Sequence, residues 1–246
     1  MELRVLSLYP DQMNIYADRG NILFLQRRCE WRGIAFVHGG AGPGESVEPG
    51  AHDLFYIGGG QDRDQRVVAA DMVETRQAAL ATAVDDGAAL LAVCGGYQLL
   101  GESYQLGEET LPGLGLADLR TVREEGPRLI GNVAIETELG GGKRLLAGFE
   151  NHGGRTYLGA GAPPLGRVVK GHGYGNNGGD GFEGVWRDNM VGTYLHGPLL
   201  PKNAWLADHL IELALERRYG ERPGLEPLPD ELERAAHASA RAAAGV

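Results

Sequence analysis

Between Leu3 and Val93 short apolar segments alternate with long amphipathic ones, and few folds accept that order. "LRVLSLY" (3–9), "IAFVH" (34–38), "DLFYIGGG" (53–60) and "AALLAV" (88–93) read as strands, the third running into three glycines. Between them, "DRGNILFLQRRCEWRG" (18–33) places Ile22, Leu25 and Cys29 on one helical face, with Gly33 at its end. "DRDQRVVAADMVETRQAALATAVDDG" (62–87) predicts a longer helix closed by Gly87. Strand, helix, strand in succession predicts a parallel sheet wrapped by helices. "AALLAV" has no polar residue, as a strand covered on both faces would. Such sheets carry their sites beyond the carboxyl ends of their strands. The residues to watch are therefore the glycines at 58–60 and Cys94.

After Gly107 the texture changes. Fifteen glycines fall between Gly140 and Gly181, a density that predicts short strands joined by turns. "RTYLG", "RVVKG" and "EGVWRDNMVGTYLHG" are the strand-like pieces, and this β-rich half is expected to cover an edge of the sheet. "KNAWLADHLIELALERRYG" (202–220) returns to helix, stopped by Gly220. Residues 1–220 are read as one domain and residues 221–246 as a tail, a helix on a partner or a frayed end.

The 246 residues, 43% of them apolar, can bury one sizeable core. A net charge of −10 with no basic stripe excludes nucleic acid as a partner. The opening apolar stretch is too short for a signal-peptide core, and no apolar run reaches roughly 18 residues, so a cytoplasmic chain is expected. Two cysteines, Cys29 and Cys94, give no disulfide framework or zinc set, and the seven histidines form no H-x-x-x-H pair, so no metal is expected.

A cysteine at a strand end is ordinarily packed in the core, and Cys29 takes that reading. Cys94 differs because "VCGGYQLL" gives a strand, a sharp turn and a helix, and small residues beside a nucleophile let the chain turn that tightly. A helix N-terminus is expected to lower the thiol's pKa, and the N–H of Gly95 to face a developing oxyanion. A thiolate needs a base. His196 closes "MVGTYLHG" (190–197) and is expected on the same rim as Cys94, while His152 in "FENHGG" is the second choice. His38, His52, His172, His209 and His237 are read as structural or surface residues.

C-x-G-x-Q at Cys94, Gly96 and Gln98, preceded by "GGGQD" (58–62) and followed by "YLHG" (194–197), resembles the class I glutamine amidotransferases, and "YLHG" is similar to their cobyric acid synthase branch. Five further features in order, "YPDQMNIYADRGN" (9–21), the elbow itself, "GPRLIGN" (126–132), "GFENHGGRT" (148–156) and "GYGNN" (173–177), resemble the glutaminase-subunit family of the lipid II isoglutaminyl synthases, which pair with a Mur-ligase-like subunit. The resemblance implies a flavodoxin-like class I glutamine amidotransferase fold: α/β, a central mostly parallel sheet flanked by helices, with a Gly-rich β-containing second half. It implies that Cys94 attacks the carboxamide of L-glutamine with His196 as base. Gly95 and one of Gly59 or Gly60 would supply the oxyanion donors, Arg128 would hold the α-carboxylate, and Gln98 would touch substrate or brace the elbow.

One departure matters. Where most relatives of this class read H-x-E, this chain reads "HGP", and Pro198 cannot orient an imidazole. Either Cys94 and His196 work as a dyad or a carboxylate arrives from the partner. No G-x-x-x-x-G-K-[ST] phosphate loop occurs, so the chain is expected to hold no cofactor and ATP is expected on the partner subunit, which would meet lipid II at the inner face of the membrane. The rival readings are amidation of cobyric or cobyrinic acid, a non-catalytic binding module, and a peptidase on a similar elbow. Asp11, Asn14, Asp18 and Asn21 are read as residues that satisfy backbone turns.

Overall fold

The computed structural model describes residues 1–15, 18–169 and 171–246. The chain runs β1 (Glu2–Leu8), α1 (Arg19–Glu30), β2 (Ala35–Ala41), β3 (Leu54–Ile57), α2 (Asp62–Asp85), β4 (Ala89–Val93) and the short α3 (Gly95–Leu99). There follow β5 (Ser103–Leu106), β6 (Glu109–Pro112), β7 (Leu119–Arg123), β8 (Leu129–Thr137), β9 (Arg144–His152), β10 (Gly154–Leu158), β11 (Gly166–Val168) and β12 (Phe182–Glu183). Then come β13 (Val185–Arg187), β14 (Met190–Thr193), α4 (Leu199–Lys202), α5 (Ala204–Tyr219) and α6 (Glu231–Ala244).

The central sheet has the order β13-β14-β4-β3-β1-β2. β1, β2, β3, β4 and β14 run parallel, and only β13 is antiparallel. All five residues of β4 are buried, as its wholly apolar sequence requires of a strand flanked by β3 and β14. Consequently the ends of β3, β4 and β14 lie side by side on one rim. The glycine turn, Cys94 and the segment leading to His196 leave the sheet there.

β2 continues three residues past the expected 34–38 segment, through Gly39 and Gly40 to Ala41. Glycine is a weak strand former, but Ser7 pairs with Gly40 and Leu8 with Ala41, so the neighbouring strand holds this stretch extended. The β-rich half forms two four-stranded sheets, β10-β7-β5-β6 and β12-β11-β8-β9. The strand-like "RTYLG" becomes most of β10, and "RVVKG" contributes β11, its Lys170 lying outside the described residues. Tyr16 and Ala17, in the signature opening, also lie outside them.

Of the two readings of the tail the helical one holds, and that helix is folded onto the molecule itself. α6 packs on α4, β8 and β9. Asn132 Nδ2 donates to Ala243 O at 3.1 Å, and the Nδ1 of His237 to Lys202 O at 2.8 Å. Its start is tied by Arg28, whose side chain is fully buried on α1 and reaches both Asp208 of α5 at 2.5 Å and Asp230 at 2.7 Å. An alanine-rich helix has little apolar bulk of its own, so its docking depends on such polar anchors. Removing a buried cation leaves its carboxylates without their partner. Arg28→Ala is expected to destabilise the fold by about 3 kcal/mol, the low end for a broken buried pair, because both carboxylates keep some solvent. Urea unfolding measures this, and limited proteolysis should show residues 221–246 cleaved first.

Candidate active site

Cys94 ends β4 with φ 51° and ψ −105°, a left-handed geometry unusual for a side chain of this kind. Two close approaches force it. A Cβ on Gly95 would lie 2.6 Å from the amide nitrogen of Gly60, and one on Gly96 2.6 Å from the carbonyl oxygen of Ile57. Only glycine lets α3 begin this tightly against the turn at the end of β3. The elbow is held from both sides, by Cys94 N donating to Thr193 O at 2.8 Å and Gly96 N to Gly58 O at 3.1 Å.

Cys94 lines a cavity of about 270 Å³ together with Gly60, Gln98, Arg128 and His152, all but His152 from the expected set of site residues. Gln65 braces the elbow by donating to Gly95 O at 3.1 Å and to Gln98 Oε1 at 2.8 Å. Gln98 in turn donates to Tyr194 Oη at 3.1 Å. The side chain of Gln98 is thus spent within the fold, which favours bracing over substrate contact. Arg128 is exposed at the mouth, where its Nε and Nη2 donate to Asn151 Oδ1 and O, both at 2.7 Å. This fixes the guanidinium plane at the mouth of the cavity.

The glycine turn separates its candidates. Gly59 N–H is spent on Asp18 Oδ2 at 2.7 Å. Gly60 N lies 2.6 Å from where a Cβ on Gly95 would stand, and neither Gly60 N–H nor Gly95 N–H has a backbone or side-chain oxygen accepting from it among the described residues; the Gly95 N–H is directed at the Cys94 sulfur.

His196 follows β14 on the expected rim but is not among the residues that line the cavity; it is fully buried, edge-on to Phe149 at 5.7 Å between ring centres. Its backbone bridges to Phe149, with His196 N donating to Phe149 O at 2.9 Å. The imidazole lining the cavity is His152. The sequence shows no geometry that brings it to Cys94, since β8 and β9, which carry it to the rim, pair across the glycine-rich region. His152 is stacked on Tyr194 at 3.5 Å; its Nδ1–H donates to Gly154 O at 2.8 Å, and its Nε2 lies 3.5 Å from Glu150. Glu150 also accepts from Tyr174 N at 2.6 Å and Gly175 N at 2.9 Å, so "GYGNN" serves to hold this pair.

Electrostatics depart from expectation. Burial pushes the Cys94 thiol up to about 12, nearby Asp18 adds to the rise, and Arg128 and the Gly95 N–H offset only part of it. A five-residue helix offers too little dipole to overcome desolvation. Burial pushes His196 down to about 4, and His152, Lys202 and Arg128 push the same way.

The comparisons with known proteins bear on this rim. A model of the CobB/CobQ-like glutamine amidotransferase domain matches residues 4–204, which include Cys94 and His196. The chain belongs to the CobB/CobQ-like glutamine amidotransferase family. Within it the chain is 39% identical to the lipid II isoglutaminyl synthase (glutamine-hydrolyzing) subunit GatD of Staphylococcus aureus, over 98% of this chain and 93% of that one. It is 37% identical to the GatD of Streptococcus pneumoniae, over 89% and 83%. Similarity to the cobyric acid synthase of Pelotomaculum thermopropionicum is 34% but spans only 39% of that protein. The fold is similar to PurLQS from Thermotoga maritima, with a TM-score of 0.57, 18% identity and coverage of 88% of this chain and 99% of that one. It is equally a glutamine amidotransferase fold by likeness to the glutaminase domain of Trypanosoma brucei CTPS, at 0.54, 10%, 91% and 96%. The chain is therefore a glutamine amidotransferase of the GatD group.

With the thiol this high, the thiolate fraction of the isolated chain grows about tenfold per pH unit well beyond neutrality. In a Cys29→Ser background, alkylation of Cys94 by iodoacetamide should climb at that rate from about pH 7 to 9. A plateau reached near neutral pH would show a thiol ionised in the resting chain.

Proposed function

We propose that this chain is the glutaminase subunit of a lipid II isoglutaminyl synthase, hydrolysing L-glutamine through a cysteine thioester and passing ammonia to a Mur-ligase-like, MurT-like, ATP-dependent partner in a heterodimer. The partner would use that ammonia to amidate the D-glutamate α-carboxyl of lipid II to D-isoglutamine, in peptidoglycan synthesis. The observation that carries this reading is the near full-length similarity to GatD, whereas the cobyric acid synthases extend far beyond this chain.

In this reading the α-carboxylate of glutamine meets Arg128, a match a planar guanidinium makes with two parallel hydrogen bonds. The Cys94 sulfur adds to the side-chain carbonyl carbon, its proton passing to His196, and the oxyanion settles between the N–H groups of Gly60 and Gly95. Collapse of the tetrahedral species breaks the C–N bond. His196 returns its proton to the leaving nitrogen, ammonia departs, and the thioester remains. Water, deprotonated by the same imidazole, then releases glutamate and the free thiol. Gln98 and Gln65 keep the elbow in register throughout.

The same reading gives the partner a second task. His152, Lys202 and Arg128 all push the imidazole of His196 toward its neutral form, and Pro198 stands where most relatives of this class carry a carboxylate that would orient it. A carboxylate from the partner would raise the imidazole's pKa, hold its tautomer and complete a triad in trans. ATP and lipid II belong to that partner, and the place of action is the cytoplasmic face of the membrane.

Glutamate release from L-glutamine, measured with and without the co-expressed partner and with Cys94→Ser as blank, tests the proposal. Weak release alone, a large rise with partner and none in the mutant are expected; equal rates with and without partner would remove the triad in trans. Arg128→Ala should raise KM for glutamine about 10- to 100-fold, as loss of hydrogen bonds to a charged group does, with a smaller change in kcat. An unchanged KM would take the α-carboxylate away from Arg128 and favour a peptidase.

A further inference from the structure

Asp18 occupies the N-cap position of α1, yet its side chain makes no capping hydrogen bond. It is fully buried, its Oδ2 accepts Gly59 N–H at 2.7 Å, and its Oδ1 is buried without a hydrogen-bond partner among the described residues. A carboxylate kept in such surroundings for helix capping alone would be a poor arrangement, since an unpaired buried oxygen is costly. What it does hold is a turn of three consecutive glycines.

That turn has little conformational preference of its own, because glycine takes either sign of φ. Two peptide planes matter. The first joins Gly58 to Gly59: its carbonyl accepts Gly96 N–H at 3.1 Å and its N–H goes to Asp18. The second joins Gly59 to Gly60: its carbonyl accepts Ile15 N–H at 3.2 Å. In a trans peptide the C=O and N–H point in opposite directions. With Gly59 O turned to Ile15, Gly60 N–H must point away from it, toward Gly95 and the elbow. The two planes meet at the Cα of Gly59, so a first plane released from Asp18 changes the φ of Gly59 and leaves Ile15 N–H alone to hold the second plane, and with it Gly60 N–H, in place.

We propose that Asp18 is a positioning residue for glutamine hydrolysis: its carboxylate clamps the 58–60 turn so that the N–H of Gly60, together with that of Gly95, faces the oxyanion formed at Cys94. This rests on the glutaminase reading above. Tyr56 Oη supports the clamp by donating to Asp18 O at 3.2 Å while accepting from Asn21 Nδ2 at 3.0 Å, and Asn21 Oδ1 accepts Leu200 N–H at 2.9 Å. The opening segment therefore links the oxyanion turn to the helix that follows His196. Burial also pushes Asp18 up to about 7, and its charge bears on the nearby thiol.

The test compares Asp18→Asn with Asp18→Leu in the chain bound to its Mur-ligase-like partner, with Cys94→Ser as blank. Asparagine keeps an oxygen that accepts Gly59 N–H, whereas leucine matches the shape and accepts nothing. Expected for Asp18→Leu is a fall in kcat for glutamine hydrolysis of about 10²-fold, the loss typical of one oxyanion donor, with KM changed by less than about threefold. Asp18→Asn should recover to within about tenfold of the wild type.

Alkylation of Cys94 by iodoacetamide supplies the second readout, because displacement of iodide forms no oxyanion. In both variants it should run at least as fast as in the wild type, since a negative charge near the thiol has gone. Asp18→Leu with wild-type kcat would overturn the proposal. So would kcat and alkylation falling together, the mark of a collapsed elbow, or asparagine failing as leucine does. An inactive wild-type complex would instead overturn the glutaminase reading, so the two failures are distinguishable.

Discussion

The molecule turns on the contact between two glycine-bearing segments at the ends of β3 and β4. Gly96 N–H bonds to Gly58 O, and Gly95 lies so close to Gly60 that no Cβ fits between them. Parallel pairing of β3 with β4 brings the two segments to the same height, and the wholly buried β4 fixes that height against the core. The positive φ of Cys94 is the local consequence, tolerated because neighbours on both strands hold the backbone there. Everything chemical at the rim inherits its position from this contact. A wider gap would separate the two N–H groups, and a narrower one is sterically closed.

The same elbow explains how much could be read from the chain before its structure. The alternation of strands and helices through Val93, the wholly apolar strand and the glycine pair after Cys94 are local patterns, and local geometry realises them nearly residue by residue. Arg128 and His152 belong to another class. They arrive on β8 and β9, strands that read weakly in a glycine-rich stretch, and their approach to Cys94 depends on pairing between distant segments. No periodicity announces that. The place of His152 at the cavity and its contact with Glu150 are hidden for this reason, although "FENHGG" places the two on the same face of a strand.

Asp18 and the tail conceal their partners in different ways. Asp18 looked like an ordinary polar loop residue because its partner, a backbone N–H forty-one positions away, leaves no trace in composition or spacing. The tail looked unattached because alanine signals little packing. What docks it is Arg28 with Asp208 and Asp230, three residues spread over two hundred positions. In each case the missing information was the pairing of buried polar groups, which burial makes obligatory but the sequence does not index.

Burial also sets the chemistry of the resting chain. Removing Cys94 and His196 from water raises one pKa and lowers the other, and each shift disfavours moving a proton from sulfur to imidazole. Open sites avoid this penalty, but they gain little from a single added charge, because water screens it. A dry site responds strongly, since the medium that penalises an unpaired charge also strengthens the attraction between a pair. One carboxylate brought against His196 would therefore act on both shifts at once, favouring the imidazolium and, through it, the thiolate. On the proposed function, Pro198 marks where a carboxylate would orient His196, and deep burial is what makes a carboxylate supplied by a partner consequential. A glutaminase exposed to free glutamine gains by such an arrangement, because ammonia is made only where an acceptor waits for it.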